Sequence, residues 1–270
     1  MDPNTVHRLI DLNRQFYQTF ALQFSATRQR LQPGAWRILQ HVPLTARILD
    51  LGCGNGELWR VLSRRGFMGD YVGLDFTPEL LEVARKALPD ENTFRPSAPR
   101  AVFIQADLSD PGWDDLVLNN AQSPGERRSH NAAEYPSIYT PPFDFILAFS
   151  VLHHLPGSAL RRGVLEKIHS LLEPEGRFIH SEWQFLNSPR LRARIQPWET
   201  IGLTGADVDP GDYLLDWRQG GSGLRYVHHF SQDELNSLAL VTGFRSIETF
   251  YSDGEGGNLG LYQVWGEREP

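Results

Sequence analysis

The chain has 270 residues, of which 40% are hydrophobic and 22% are charged, and its formal net charge is −7. This length and composition are typical of one globular domain and exclude a fibrous or low-complexity chain. The single cysteine excludes an internal disulfide and a cysteine-rich zinc site, so we predict no metal and a reducing, cytoplasmic compartment. No apolar run reaches the ~18 residues of a membrane helix and no secretion signal is evident, so no membrane association is expected. The acidic charge argues against indiscriminate nucleic-acid binding.

Apolar runs alternate with amphipathic segments along most of the chain. The predicted strands are 46–51, 71–75, 102–107, 143–152, 177–185, 245–251 and 259–267, and the predicted helices are 57–65, 78–88, 158–172 and one that opens at Ser231. Ser231 and Glu234 form a capping-box pattern at the start of that last helix. Because strands and helices alternate, the sequence predicts a doubly wound α/β fold with a parallel sheet.

Three stretches depart from this alternation. Residues 89–100 and 119–142 are rich in Pro, Ser, Asn, Arg and Gly, and we expect both to be loops. The second is long for a connection inside a compact domain, so we expect a disordered insert, with an ordered lid as the alternative. Residues 186–230 are irregular and lead over the carboxyl ends of the strands, where such sheets bind ligands. We expect this connection to lie on the substrate side.

The remaining boundaries follow from this pattern. We expect a single domain over residues 1–270, with a helical cap at 1–45 and the sheet core at 46–185. A C-terminal helix and strands complete it at 231–270.

Glycines at positions 52, 54 and 56 separate the first predicted strand from the first predicted helix of the core, in the run I-L-D-L-G-C-G-N-G at 48–56. Glycine allows positive φ and lets a ligand approach the backbone closely. The helix that follows presents unpaired N–H groups at its start. This strand–loop–helix therefore predicts a nucleotide-type ligand.

Three acidic residues narrow the choice of ligand. Asp50 ends the first strand beside the glycines, where it disfavours a pyrophosphate and favours a cationic ligand. Glu57 stands where the dinucleotide fingerprint needs its third glycine. Asp75 ends the second strand close to the ~20-residue distance expected of a ribose-binding acid.

The combined pattern D-x-G-x-G-x-G and second acid resembles motif I of the class I S-adenosyl-L-methionine-dependent methyltransferases. The resemblance implies S-adenosyl-L-methionine as the cofactor, bound by the core 46–185. It also implies a Rossmann-like seven-stranded sheet with the last strand antiparallel. A non-catalytic relative is the weakest alternative, because Asp50, Gly52, Gly54 and Asp75 are all present.

Further site residues follow from strand ends and from the resemblance. Asp107 ends the third strand, where a carboxylate accepts from the adenine amino group in related enzymes; the alternative role is a helix N-cap. Cys53 is expected to be a small filler of the glycine loop, and His153 ends the fourth strand, where the methyl donor points. The residues expected to bind the cofactor are Tyr17, Arg28, Asp50, Gly52, Cys53, Gly54, Asn55, Gly56, Asp75, Phe76, Ala106, Asp107, Leu108, Phe149 and Ser150.

Segments outside the core resemble one family more closely, the eukaryotic wobble-uridine tRNA methyltransferases, which esterify 5-carboxymethyluridine. Their H-F-S-x-T-R element matches 24–28 except that Gln23 replaces His. Their G-D-x-x-V-P-W and R-Y-Y-H-x-F elements resemble 211–217, with Asp216 in place of Pro, and 225–230. Glu182 and Trp183 stand at the position of a further element. The resemblance implies tRNA as a partner and a small zinc-binding activator subunit as a possible one.

The chemistry of the acceptor leaves two hypotheses open. A carboxylate acceptor needs no general base and is held by arginine, for which Arg28 and Arg225 are the catalytic candidates. Aromatic side chains of Tyr17, Trp217 or Tyr226 would stack on a flipped-out base, or belong to the core. A small-molecule O- or N-methyltransferase is the alternative, and His153 would then be the catalytic base.

Overall fold

The structure is a computed structural model that describes residues 1–27, 30–88, 100–120 and 141–268. Most of the predicted insert 119–142 and of the predicted loop 89–100 lies outside the described residues. Arg28, predicted at the site, lies outside them as well.

Strands and helices alternate through the core. The strands are β1 (Arg47–Leu51), β2 (Asp70–Asp75), β3 (Arg100–Gln105), β4 (Phe143–Phe149), β5 (Leu172–Trp183), β6 (Ile195–Gln196), β7 (Asp212–Trp217), β8 (Gly223–His228), β9 (Phe244–Ser252) and β10 (Gly260–Glu267). The α-helices are α1 (Pro3–Thr27), α2 (Pro33–Leu39), α3 (Glu57–Arg64), α4 (Pro78–Arg85), α5 (Trp113–Asn120), α6 (Ser158–Leu171), α7 (Pro189–Arg192) and α8 (Gln232–Val241).

The main sheet has seven strands in the order β3-β2-β1-β4-β5-β10-β9. Strands β1 to β5 are parallel to one another, whereas β10 is antiparallel to both β5 and β9. The prediction of a doubly wound seven-stranded sheet with its last strand antiparallel is confirmed. The strand order reverses between β1 and β4, and such a switch point opens a crevice at the carboxyl ends of the strands.

Helices cover both faces of this sheet, which is why β1 is apolar on both sides. Successive strand residues point to opposite faces. Ile48 accordingly lies in one buried apolar cluster with Trp59 of α3, and Leu49 lies in another with Val164 of α6, all four fully or almost fully buried. The two apolar layers thus cover opposite faces of the sheet beneath the crevice.

Residues 186–230 differ from the prediction of an irregular connection. Strands β6, β7 and β8 form a second, antiparallel sheet. Leu215 and Val227 pack with Phe185 in its apolar cluster. Polar residues inside its strands hide the signal, because Asp212 and His228 are buried and bond to each other.

Helix α1 lies against this second sheet and carries a kink at Phe20 (φ −113°, ψ 16°). The Asn13 side chain donates to the carbonyl oxygens of Tyr226 and His154, each at 3.2 Å, and accepts from the Tyr226 N–H at 2.8 Å. One buried amide thus joins α1 to β8 and to the turn after β4. Along the described stretches, no helix combines the length and the hydropathy that crossing a bilayer needs.

Candidate active site

A cavity of about 270 Å³ lies at the carboxyl ends of β1 to β4, with α1 and β8 contributing to its wall. Most residues predicted for the site border it. They are Tyr17, Asp50, Gly52, Cys53, Gly54, Asn55, Asp75, Phe76, Ala106, Asp107, Leu108, Phe149, Ser150, His153 and Arg225. Gly56 is not among the lining residues.

The glycine loop needs its glycines for different reasons. Gly52, Gly54 and Gly56 have φ of 68°, 55° and 76°, a region that favours glycine. A Cβ on Gly52 would lie 2.6 Å from the Val151 side chain, so the loop approaches the turn after β4 closely. A Cβ on Gly56 would lie 2.8 Å from Cβ of Ala84. Packing of the loop on α4 thus accounts for a glycine at position 56, and the expected contact of Gly56 with the cofactor stays a prediction.

Asp50, at the carboxyl side of β1, is buried and accepts a hydrogen bond from the Tyr71 hydroxyl. Burial raises the pKa of Asp50 to about 7, against the opposing effect of that hydrogen bond. A cationic ligand group nearby would favour the charged carboxylate and lower this pKa. The geometry therefore fits the predicted preference of Asp50 for a cation.

Asp75 ends β2 with both carboxylate oxygens fixed by the backbone. Oδ2 accepts from the Gly54 N–H at 2.9 Å and Oδ1 from the Thr77 N–H at 2.8 Å. Burial raises the pKa of Asp75 above its ordinary value. Each carboxylate oxygen has a second lone pair, so Asp75 can accept from ligand hydroxyls without losing its backbone bonds.

Asp107 follows β3 and borders the cavity. Its carboxylate closes a turn and does not cap a helix, because the next helix begins at Trp113, so the alternative prediction of a helix N-cap is wrong. Its Oδ1 accepts from the N–H and the hydroxyl of Ser109, at 2.8 and 2.6 Å. Its Oδ2 accepts from Nε of Arg14 at 2.6 Å. Arg14 was absent from the predicted site, although it lies on α1 only one turn before Tyr17.

The cavity-facing side of α1 has a helical spacing that the prediction missed. Ile10, Asn13, Arg14 and Tyr17 all line the cavity. They occur at i, i+3, i+4 and i+7, so they share one face of the helix. This spacing mixes polar and apolar residues and therefore does not resemble an ordinary core stripe.

The turn after β4 places two histidines at the cavity. Ser150 has a positive φ of 61°, and its N–H donates to the Ser181 carbonyl at 2.9 Å. Positive φ is uncommon outside glycine and costs energy, and such residues cluster at functional sites. The turn ends β4 at Phe149, three residues earlier than predicted, and leads directly to His153.

His153 is buried, and one carboxylate oxygen of Glu182, Oε2, contacts both its backbone and its ring. The contacts are 3.1 Å to the His153 backbone N and 2.9 Å to its ring Nδ1. The other oxygen, Oε1, lies 3.0 Å from Nδ1 of His180. The neighbouring His154 has its Nε2 2.7 Å from the Tyr17 hydroxyl. Sequence reasoning assigned no role to Glu182.

Arg225 reaches the cavity from β8 and is surrounded by aromatic rings. Its guanidinium carbon lies 4.8 Å from the ring centre of Trp183, 5.3 Å from Phe16 and 5.6 Å from Trp217. Trp183 lines the cavity beside it. Such rings stabilise a cation and fix the plane of the guanidinium.

Two of the aromatic residues predicted to stack on a base do not border the cavity. Tyr226 is fully buried, and its hydroxyl donates to Asp212 at 2.6 Å, so it belongs to the core. Trp217 packs against Phe16, with ring centres 5.6 Å apart. Tyr17 remains as the predicted stacking residue that lines the cavity.

Comparisons with known proteins agree with this geometry. The family model described as a methyltransferase domain matches residues 24–249. A protein of Encephalitozoon cuniculi (strain GB-M1) named as a methyltransferase is 24% identical over 235 residues, which cover 87% of each chain. The ubiquinone biosynthesis O-methyltransferase of Xylella fastidiosa (strain 9a5c) is 31% identical over 145 residues, which cover 53% of this chain and 45% of that enzyme.

A solved structure extends the likeness to the whole fold. The 1,6-didemethyltoxoflavin-N1-methyltransferase of Burkholderia thailandensis, with bound 1,6-didemethyltoxoflavin and S-adenosylhomocysteine, has a TM-score of 0.57. The match is 18% identical and covers 98% of this chain and 91% of that one. At this identity the likeness concerns the fold.

Proposed function

Because the chain belongs to the methyltransferase domain family, it is an S-adenosyl-L-methionine-dependent methyltransferase, and we propose that it methylates an oxygen of a small molecule. The similarity to the Xylella fastidiosa O-methyltransferase supports a small-molecule acceptor. The cofactor would supply a methyl group on a positively charged sulfur. The residues of this chain supply binding, orientation and control of the acceptor proton.

The observation that carries the proposal is that one cavity contains both the residues suited to the cofactor and those suited to the methyl acceptor. Asp50 and Asp75 lie on the neighbouring strands β1 and β2, and Asp107 follows β3, the next strand of the sheet. All three border the cavity, and His153 and Arg225 border it as well. We assign Asp50 to the ammonium group, Asp75 to the ribose hydroxyls and Asp107 to the adenine amino group. This acidic set fits a cationic ligand without phosphate groups, because charge-assisted hydrogen bonds favour it.

The acceptor would occupy the part of the cavity beside His153, Trp183 and Arg225. Holding the acceptor oxygen in line with the methyl group converts a bimolecular reaction into an effectively unimolecular one. A planar guanidinium at the cavity wall favours an acceptor that also carries an anionic group. The ring of Trp183 provides an apolar surface for the body of the acceptor.

A carboxylate of a modified wobble uridine in tRNA is the second candidate. What favours it is that residues from elements that carry the family resemblance border the cavity, namely Ser25 of α1 and Arg225 of β8. This candidate carries with it the predicted tRNA partner, the zinc-binding activator subunit and a cytoplasmic location. The net charge of −7 weighs against it.

Isothermal titration with S-adenosyl-L-homocysteine, followed by methyl transfer from labelled S-adenosyl-L-methionine, tests the proposal. The acceptors are catechol, benzoate and total tRNA, with products identified by mass spectrometry. Methylation of catechol or benzoate supports the small-molecule proposal. A methyl ester on a wobble uridine would replace it by the second candidate, and failure to bind S-adenosyl-L-homocysteine would contradict both.

A further inference from the structure

The buried carboxylate of Glu182 is the strongest feature of the site to which no role has been assigned. Its side chain is 0% exposed, and the residue is the last but one of β5, next to the turn that carries His153. A buried carboxylate is costly, so it persists where its hydrogen bonds are made. Glu182 is bonded by the His153 backbone, the His153 ring and the His180 ring.

We propose that Glu182 is a positioning residue that holds His153 in the tautomer with a proton on Nδ1, so that Nε2 is the general base for a hydroxyl acceptor. This inference rests on the proposed function and deepens it, since it names a hydroxyl rather than a carboxylate as the methyl acceptor. A carboxylate acceptor is already anionic and needs no base.

The tautomer follows from the pattern of contacts. Glu182 Oε2 accepts the backbone N–H of His153, which can only donate, and the same oxygen lies 2.9 Å from His153 Nδ1. Burial raises the pKa of Glu182 well above its ordinary value, and the hydrogen bond from the His153 backbone opposes this shift. The Trp183 backbone N–H also points at His153 Nδ1, but its distance of 3.4 Å is longer than the 2.9 Å between Nδ1 and Glu182 Oε2. We therefore assign the ring proton to Nδ1, so that Oε2 accepts from both N–H groups of His153.

The surroundings of the pair are consistent with this assignment. Burial lowers the pKa of His180 to about 3, so this ring is neutral, and its Nδ1 lies 3.0 Å from Glu182 Oε1. Arg161 and Glu234 act on Glu182 by their charges with opposite effects. The His154 ring lies 4.4 Å from that of His153, and its Nε2 is engaged by the Tyr17 hydroxyl. His153 is therefore the histidine of the pair whose orientation is set by a carboxylate.

The chemical step then balances. Nε2 of His153 takes the proton of the acceptor hydroxyl, and the acceptor oxygen forms a bond to the methyl carbon. The bond between that carbon and sulfur breaks, and the sulfur keeps its electron pair. The proton on His153 passes to solvent after product release. The trend with pH is that activity rises as His153 loses its own proton.

Nitrogen-15 NMR of the histidine rings, recorded on the protein without ligands, tests the tautomer without any acceptor. The His153 signals are assigned by their absence in His153→Gln. We expect Nδ1 protonated and Nε2 unprotonated in the wild type, a mixture in Glu182→Ala, and the wild-type tautomer in Glu182→Gln, which keeps an acceptor oxygen. A wild-type ring protonated at Nε2 would overturn the proposal, even if the variants failed to fold.

Methyl-transfer kinetics, measured with the acceptor that the experiment above identifies, provide a second test of the proposal. His153→Ala should lower kcat for a hydroxyl acceptor about a hundredfold or more and remove the low-pH limb, since general bases contribute about that much. Glu182→Ala should lower kcat while the dissociation constant of S-adenosyl-L-homocysteine stays unchanged. Glu175→Gln, an exposed glutamate of the same strand, is the control. An unaltered pH profile in His153→Ala would contradict the assignment of His153 as the general base. The assignment of the protein as a methyltransferase would not be affected.

Discussion

At the scale of single residues, the carboxylate of Asp75 gives the sharpest prediction for the cofactor. Asp75→Ala removes an acceptor for two ribose hydroxyls, so binding of S-adenosyl-L-homocysteine should weaken by about 2–3 kcal/mol, or about 30- to 150-fold. Calorimetric titration measures it. Glu79→Ala, at an exposed position of α4, is the matched control. An affinity equal to wild type would remove Asp75 from the cofactor site.

Asp50 links cofactor binding to pH. Burial raises its pKa to about 7 in the unliganded protein, so the carboxyl is neutral below that pH and the folded state loses stability as pH rises toward 7. An ammonium group binds the ionised form, so affinity for S-adenosyl-L-homocysteine should increase from pH 5.5 to 7.5, by at most about tenfold per pH unit. Titrations in buffers of different ionisation enthalpy should detect proton release below pH 7. In Asp50→Asn the pH dependence should disappear, and its persistence would assign the effect to another group.

Arg225 should act on the acceptor and not on the cofactor. Arg225→Lys keeps the charge but loses the planar guanidinium that three rings surround. We expect kcat/KM for an anionic acceptor to fall about tenfold or more, with unchanged binding of S-adenosyl-L-homocysteine. Arg218→Lys, with a side chain 66% exposed, provides the comparison. Equal turnover in the two variants would exclude a contact between Arg225 and the acceptor.

At the scale of elements, the buried amide of Asn13 is one of the contacts that hold α1 to the rest of the site, beside those of Arg14 and Tyr17. Asn13→Ala would leave the Tyr226 N–H and the carbonyls of Tyr226 and His154 without this partner. We expect the free energy of unfolding to fall by about 1–3 kcal/mol, and KM for the acceptor to rise because the cavity wall loosens. Denaturant unfolding measures the first effect. Asn4→Ala, on an exposed position of the same helix, should change neither quantity.

The same scale shows how far sequence reasoning reaches. Both faces of the main sheet are covered, so its strands are apolar runs in the sequence. The positions of these strands along the chain could therefore be predicted. Strands β7 and β8 were missed because they carry Asp212 and His228, which look exposed in a sequence and are buried as a bonded pair. At Ser231, half of the predicted capping box forms: the hydroxyl accepts from the Glu234 N–H, but the Glu234 carboxylate bonds His228 instead.

The site was predictable where a residue type and a strand end coincide, as for Asp50, Asp75 and Asp107. It was not predictable where contacts join distant elements. The bond from Arg14 to Asp107 crosses 93 positions, and no local pattern reports it. Glu182 lies inside the predicted strand 177–185, yet its role depends on the turn 29 residues earlier that places His153 against it.

At the scale of the whole molecule, the central claim is that one cavity, between the strand ends of the main sheet, α1 and β8, binds S-adenosyl-L-methionine beside the methyl acceptor. A crystal structure of the protein with S-adenosyl-L-homocysteine tests this most directly. The account predicts the ribose hydroxyls on Asp75, the amino group near Asp50, and the sulfur directed toward His153 and Arg225. A ligand bound elsewhere, or with its sulfur directed away from His153 and Arg225, would contradict it.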